Sequence, residues 1–95
     1  EMAEGSSLSA VIYFDQIPLI TTDLFKYIDN KCVPGGTNRN WDSYGDKIGI
    51  VTDYQKAILA DPQTSGGLLF SVKENDVEEI RELLQLHGLG EFFNP

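Results

Sequence analysis

The sequence predicts an α+β domain, with a mixed or antiparallel sheet and helices packed on one face. Two runs rich in β-branched and aromatic residues, "SAVIYF" from Ser9 to Phe14 and "LLFSV" from Leu68 to Val72, supply strands. The stretch from Asn75 to Gly88 supplies the clearest helix: Asn75 with Glu78 approximates a capping box, Val77, Ile80, Leu83 and Leu84 form an apolar stripe, and Gly88 stops it. The chain has 95 residues, 41 % of them hydrophobic, which fits one folded domain with a modest core.

Taken in order, "EMAEGSS" reads as the last turn of a helix stopped by Gly5, as though cut from a longer chain. In the first strand Ala10, Ile12 and Phe14 share one face, and Val11 and Tyr13 the other. Asp15 to Pro18 turn the chain. Thr21 or Thr22 then caps a helix whose stripe is Leu24, Phe25 and Ile28, with Asp23 at its start and Lys26 and Lys31 near its end matching the helix dipole. From Val33 to Gly45, "VPGGTNRNWDSYG" has neither helical nor strand period and reads as a long functional loop. "KIGIV" reads as a short strand weakened by Gly49, and Tyr54 to Leu59 as a short helix ending before Asp61-Pro62. The end, "GEFFNP", offers Phe92 and Phe93 for packing on the domain or on a partner.

The net charge of −8 leaves no basic cluster, which argues against binding to nucleic acid or to an anionic membrane. A lone Cys32 closes no internal disulfide, and with no signal or membrane-spanning run in the sequence the expected location is cytoplasmic.

Two polar glycine loops carry the candidate chemistry, "PGGTNRN" at 34–40 and "DPQTSGG" at 61–67. Both expose backbone N–H groups at glycine and hydroxyls at Thr or Ser, the materials of an anion nest. Neither fits the phosphate loop that runs into a helix behind a Lys, so tight turns compete with phosphate binding. Asp42, Asp46, Asp53 and Asp61 are acidic loop residues without metal-ligand spacing; the first three read as solvated surface and Asp61 as a cap on the turn before Pro62. His87 reads as a helix-end cap, Cys32 as a small half-buried side chain, and Trp41 and Tyr44 either as stacking groups or as pins for their loop. Ser65 lacks the frame of a nucleophile elbow. No catalytic residue and no metal ligand is assigned.

Together, "VPGGTNRNWDSYG" followed by "LADPQTSGGLLFSV" resembles the carboxy-terminal domain of selenophosphate synthetase, or selenide, water dikinase, in the aminoimidazole ribonucleotide synthetase-like superfamily. The resemblance runs from Glu1 to about Leu84, and it falters in "HGLGEFFNP", where the family continues into a further strand. It implies that residues 1–95 are a fragment of a single carboxy-terminal domain of the aminoimidazole ribonucleotide synthetase-like fold. The implied enzyme makes selenophosphate from selenide, ATP and water, releasing AMP and phosphate. It uses magnesium, forms a homodimer, and binds ATP mainly through an amino-terminal domain absent from this sequence, which also holds the reactive Cys or selenocysteine. Cys32 does not inherit that role. The isolated fragment is accordingly expected to be inactive and to bind neither ATP nor magnesium tightly. Gly35, Gly36, Thr37, Asn40, Gln63, Thr64, Ser65, Gly66 and Gly67 match the family's motifs and become candidates for lining the catalytic cleft, with mutual loop bracing as the competing role. The alternative function is a non-catalytic binding or dimerisation α+β module that uses its strand faces and Phe92-Phe93.

Overall fold

The computed structural model describes residues 1–92, with nothing said of the Phe92 side chain, so the Phe92-Phe93 interface falls outside the described residues. The described residues form α1 (Met2–Gly5), α2 (Leu24–Asp29), α3 (Gly35–Tyr44), α4 (Asp53–Leu59) and α5 (Val77–Leu86), joined by irregular segments and short 3-10 turns. No strand occurs among them, which corrects the expected α+β fold.

The reason lies in what a strand requires. A β-rich run becomes a strand only when a neighbouring backbone completes its hydrogen bonds and a surface covers one face. Residues 8–13 and 66–73 have neither: both are irregular, with Val11 80 % and Leu68 83 % exposed. The "KIGIV" strand is missing for the same reason, and Ile50 projects fully into solvent. Among the described residues no hydrophobic side chain is buried.

The second correction concerns 33–45, which is no loop. Pro34 precedes α3 with φ −59° and ψ 140°, an extended conformation that proline prefers, and the chain turns helical at Gly35. Gly, Asn, Arg, Asp and Ser give this helix no apolar stripe, so periodicity could not reveal it. Tertiary contacts hold it instead.

Three helices end in one device. Leu8 N–H bonds Ala3 C=O at 2.9 Å, Cys32 N–H bonds Tyr27 C=O at 2.8 Å, and Leu89 N–H bonds Leu84 C=O at 2.8 Å. The residue before each donor is left-handed: Ser7 at φ 55°, Lys31 at 59° and Gly88 at 70°. Gly88 therefore stops α5 as its position predicts, whereas Ser7 rather than Gly5 turns the chain after α1.

The chain divides into two units, residues 1–18 with 77–95 and residues 19–76. The first carries α1 and α5, where Val77, Ile80 and Leu84 are half-buried and Leu83 and Leu86 exposed. Asn75 lies within a 3-10 turn, Glu74–Asp76, that leads into α5. The second unit carries α2, α3 and α4. Leu24, Phe25 and Ile28 are half-buried as their spacing predicts, and Thr21 Oγ1 accepts from Asp23 N–H at 3.2 Å, just ahead of the helix. Phe25 meets Tyr54 of α4 edge-on, with ring centroids 5.8 Å apart, and the Tyr54 hydroxyl donates to Asp29 Oδ1. Thr52 and Gln55 begin α4 with a full capping box, Thr52 Oγ1 accepting from Gln55 N–H and Gln55 Oε1 from Thr52 N–H.

Two predictions follow from these contacts. Lys31 bears a side chain in the left-handed region, so Lys31→Gly raises stability by about 1 kcal/mol and Gly88→Ala lowers it by about as much, both read from denaturant midpoints. The Tyr54 pKa stands above its ordinary 10.0, because the hydrogen bond to Asp29, then the Asp29 charge, then desolvation all favour the neutral phenol. The contact is thus intact below pH 10.0 and is lost as pH rises through the higher folded-state value. A spectrophotometric tyrosine titration with Tyr54→Phe as reference should show Tyr54 ionising above its ordinary 10.0.

Candidate functional site

The two glycine motifs, some 25 residues apart in sequence, meet in one place within the unit 19–76. The first motif forms the opening turns of α3, and the second follows the end of α4. Gly36 is the point of contact: a Cβ there would lie 2.7 Å from Pro62 Cγ and 2.9 Å from Pro62 Cβ, so only glycine lets the α3 backbone approach the proline ring. One turn on, Asn40 Nδ2 donates to Ala60 C=O at 2.9 Å. That carbonyl is among those left without a partner at the end of α4, and Asn40 supplies one from the neighbouring helix.

Farther along, Lys56 Nζ of α4 stands 5.2 Å from the centre of the Trp41 ring, and Gly45 packs on that indole. Trp41 is half-buried, which assigns it to pinning α3; Tyr44 is more exposed. Thr37 sits between these contacts at 1 % exposure, the one buried residue among those described. Its Oγ1 is shut off from solvent and has no hydrogen-bond partner.

The rest of the second motif is open. Thr64, Ser65 and Gly67 are exposed, and Gly67 has no atom within 4 Å of where a Cβ would stand. Gln63 folds its side chain over Gly66, and its N–H bonds Asp61 C=O at 2.9 Å. The segment Gly66–Val72 does not feed a strand, so the turn does not aim a strand into a core. Gly36, Asn40 and the 60–62 segment make the contact between the two motifs, and among the described residues no hydrogen bond reaches the side chain of Thr64 or Ser65.

The structure also places a residue that the sequence reading passed over. Arg39, one helical turn past Gly36, brings Nη2 to 3.8 Å from the point a Gly36 Cβ would occupy. Its i, i+3 relation to Gly36 would have signalled this, had 33–45 been read as a helix. Cys32 is exposed rather than half-buried, its thiol 3.7 Å from the Asn30 carbonyl. His87 lies in the turn after α5, where its N–H bonds Leu83 C=O at 3.3 Å. Asp42 lies on α3, Asp46 in the following 3-10 turn, Asp53 in the first turn of α4 and Asp61 beyond its end. Among the described residues no three His, Cys, Asp or Glu side chains gather as metal ligands. Among the described residues no helix is long and apolar enough to cross a membrane.

The Gly36–Pro62 approach is tested by paired substitutions. Gly36→Ala forces the proline ring away and costs roughly 1–3 kcal/mol, whereas Gly35→Ala, with nothing within 4 Å, is neutral or stabilising by up to about 1 kcal/mol in thermal or denaturant unfolding. Equal effects at the two positions would contradict the packing.

No protein-family model matches the chain, and no solved structure matches it. Curated relatives do. Over 90 residues the chain is 54 % identical to the selenide, water dikinase of Haemophilus influenzae, covering 94 % of this chain and 25 % of that protein. It is 45 % identical over 98 residues to the enzyme of that name from Pasteurella multocida, covering 98 % of this chain and 28 % of the relative. The match to the one from Photobacterium profundum is 48 % over 98 residues, again 28 % of its length. The chain thus spans about a quarter of the length of the curated relatives it matches. Identity at this level along almost every residue, through both glycine motifs, places the chain in the selenide, water dikinase family, where it corresponds to the carboxy-terminal part.

Proposed function

We propose that the chain is the carboxy-terminal part of an ATP-dependent enzyme that makes selenophosphate from selenide, ATP and water, with AMP and phosphate as the other products. The observation that carries this reading is 54 % identity to a protein named selenide, water dikinase over 94 % of the chain. The ATP-binding domain, the reactive Cys or selenocysteine and the magnesium ligands belong, in this reading, to the amino-terminal part of the enzyme, and the complete protein works as a cytoplasmic homodimer.

The nine motif residues then divide by role. Gly36 and Asn40 hold the α3 start against the 60–62 segment and Thr37 is buried behind it, while Gly35, Gln63, Thr64, Ser65, Gly66 and Gly67 shape the wall that faces substrate. Thr64 and Ser65 are exposed hydroxyls, able to bond phosphate oxygens or water without repelling a polyanion. The orphaned hydroxyl of Thr37 also fits an anionic cofactor such as ATP, whose triphosphate supplies the transferable phosphoryl groups when bound.

A binding or dimerisation module without chemistry is the second reading. The exposed apolar side chains of residues 8–13 and 68–72 favour it, although its strand faces are not formed. Sedimentation that depends on concentration, with no stabilisation by nucleotide, would support it.

The test of the first reading is selenide-dependent release of AMP, expected from the complete enzyme and not from this chain alone. In the complete enzyme Thr64→Ala with Ser65→Ala should lower turnover and leave the melting temperature nearly unchanged, since surface substitutions cost within about 0.5 kcal/mol. Unchanged turnover with a lowered melting temperature would return both residues to a bracing role.

A further inference from the structure

We infer that Asn40 is a positioning residue for the exposed hydroxyls of Thr64 and Ser65, acting through the Ala60 carbonyl at the end of α4. The inference deepens the proposed enzyme reading and rests on it for the part those hydroxyls play. Its geometry rests on how residues 60–67 are held. The side chains of Thr64 and Ser65 have no hydrogen bond among the described residues, so their placement is inherited from the residues before them. Those residues are fixed in three steps. Asn40 Nδ2 donates to Ala60 C=O at 2.9 Å, Gly36 lets the Pro62 ring close on α3, and Gln63 N–H turns back onto Asp61 C=O at 2.9 Å. The Gln63 side chain then folds over Gly66, its Cβ and Cδ each 3.3 Å from where a Gly66 Cβ would stand. Thr64 and Ser65 form the bend between the two.

Of these contacts only the Asn40 bond ties the segment to a second element by a hydrogen bond. Among the described residues its other bonds run to α4 or stay within it. The Gly36–Pro62 contact sets how near α3 comes but not the direction, because apolar contact tolerates sliding whereas a hydrogen bond weakens steeply off line. Gly36 and Asn40 are four residues apart on one face of α3, so the two contacts act together on the short stretch from Ala60 to Pro62. The Ala60 carbonyl also lies at the negative end of α4, where an amide donor is favoured and a carboxylate is not. That chemistry separates asparagine from its isostere at position 40: Asn40→Asp keeps the shape and loses the donor. An asparagine bonded only to water would make no such distinction.

In the complete enzyme, selenide-dependent AMP release is measured for wild type, Asn40→Ala, Asn40→Asp, Thr64→Ala with Ser65→Ala, and each Asn40 variant in that doubly substituted background. Asn40→Ala should lower kcat about tenfold and Asn40→Asp at least as much, with KM for ATP and selenide within about twofold of wild type, because a misplaced group loses its effect in the chemical step. Without the two hydroxyls the same Asn40 substitutions should cost less than about twofold, since nothing is left to position. A purely structural asparagine would lower kcat by the same factor in both backgrounds, and that result overturns the inference. So does unchanged turnover in Asn40→Ala, or in Thr64→Ala with Ser65→Ala. Asn40→Ala is the deciding variant should Asn40→Asp not fold. Failure of the enzyme reading is seen separately, as absence of selenide-dependent AMP from wild type, and hydrogen exchange of the complete protein then still tests the geometry. The bonded amides of Asp61 and Gln63 should exchange several-fold faster in Asn40→Ala than in wild type, and equal rates would overturn the positioning role.

Discussion

The arrangement of both glycine motifs depends on one close approach, the α3 backbone at Gly36 against the ring of Pro62. It works through what is missing on each side. Gly36 has no Cβ to hold the chains apart, and Pro62 presents a rigid ring with a fixed φ, so little conformational freedom is lost when they meet. Asn40 adds a directional bond to Ala60 a turn away, worth on the order of 1 kcal/mol net, and it fixes rotation about the contact point. Thr37, between these two residues in sequence, is the one buried residue among those described.

This interlock explains how a segment with a strongly polar composition becomes a helix. Arg39 apart, "GGTNRNWDSY" is made of weak helix formers, and two glycines in the first turn oppose a helix. Pro34 sets the entry, Trp41 lies against Gly45 and below Lys56, and the α4 terminus receives Asn40. Local preference is overridden by contacts that are themselves polar or aromatic, and the same contacts bring an arginine back over the helix start.

What could be read from the sequence follows from which forces act locally. The helix from Val77 to Leu86 and its stop at Gly88 were legible, because an amphipathic stripe and a left-handed glycine act within a few residues. So were the α2 stripe and the end of α4 before Asp61-Pro62. The Thr52–Gln55 capping box was equally local, and its pattern stood in the sequence unread. The strands expected at 9–14 and 68–72 did not form, since a β-rich run shows what a strand would bury but not whether a partner backbone is present. The motifs themselves were legible as wording: their residues marked the family before any geometry was known. Their meeting was not, because a contact across some 25 residues of sequence leaves no periodic trace.

Trp41 is the sole tryptophan of the chain, and it is held between α3 and the Lys56 ammonium of α4. Indole emission is sensitive to a nearby charge and to access by water. The indole emission of this segment therefore originates from the junction of the two glycine motifs. A change in how α3 sits on α4 shifts that emission directly, which makes the junction its own optical probe with no label attached.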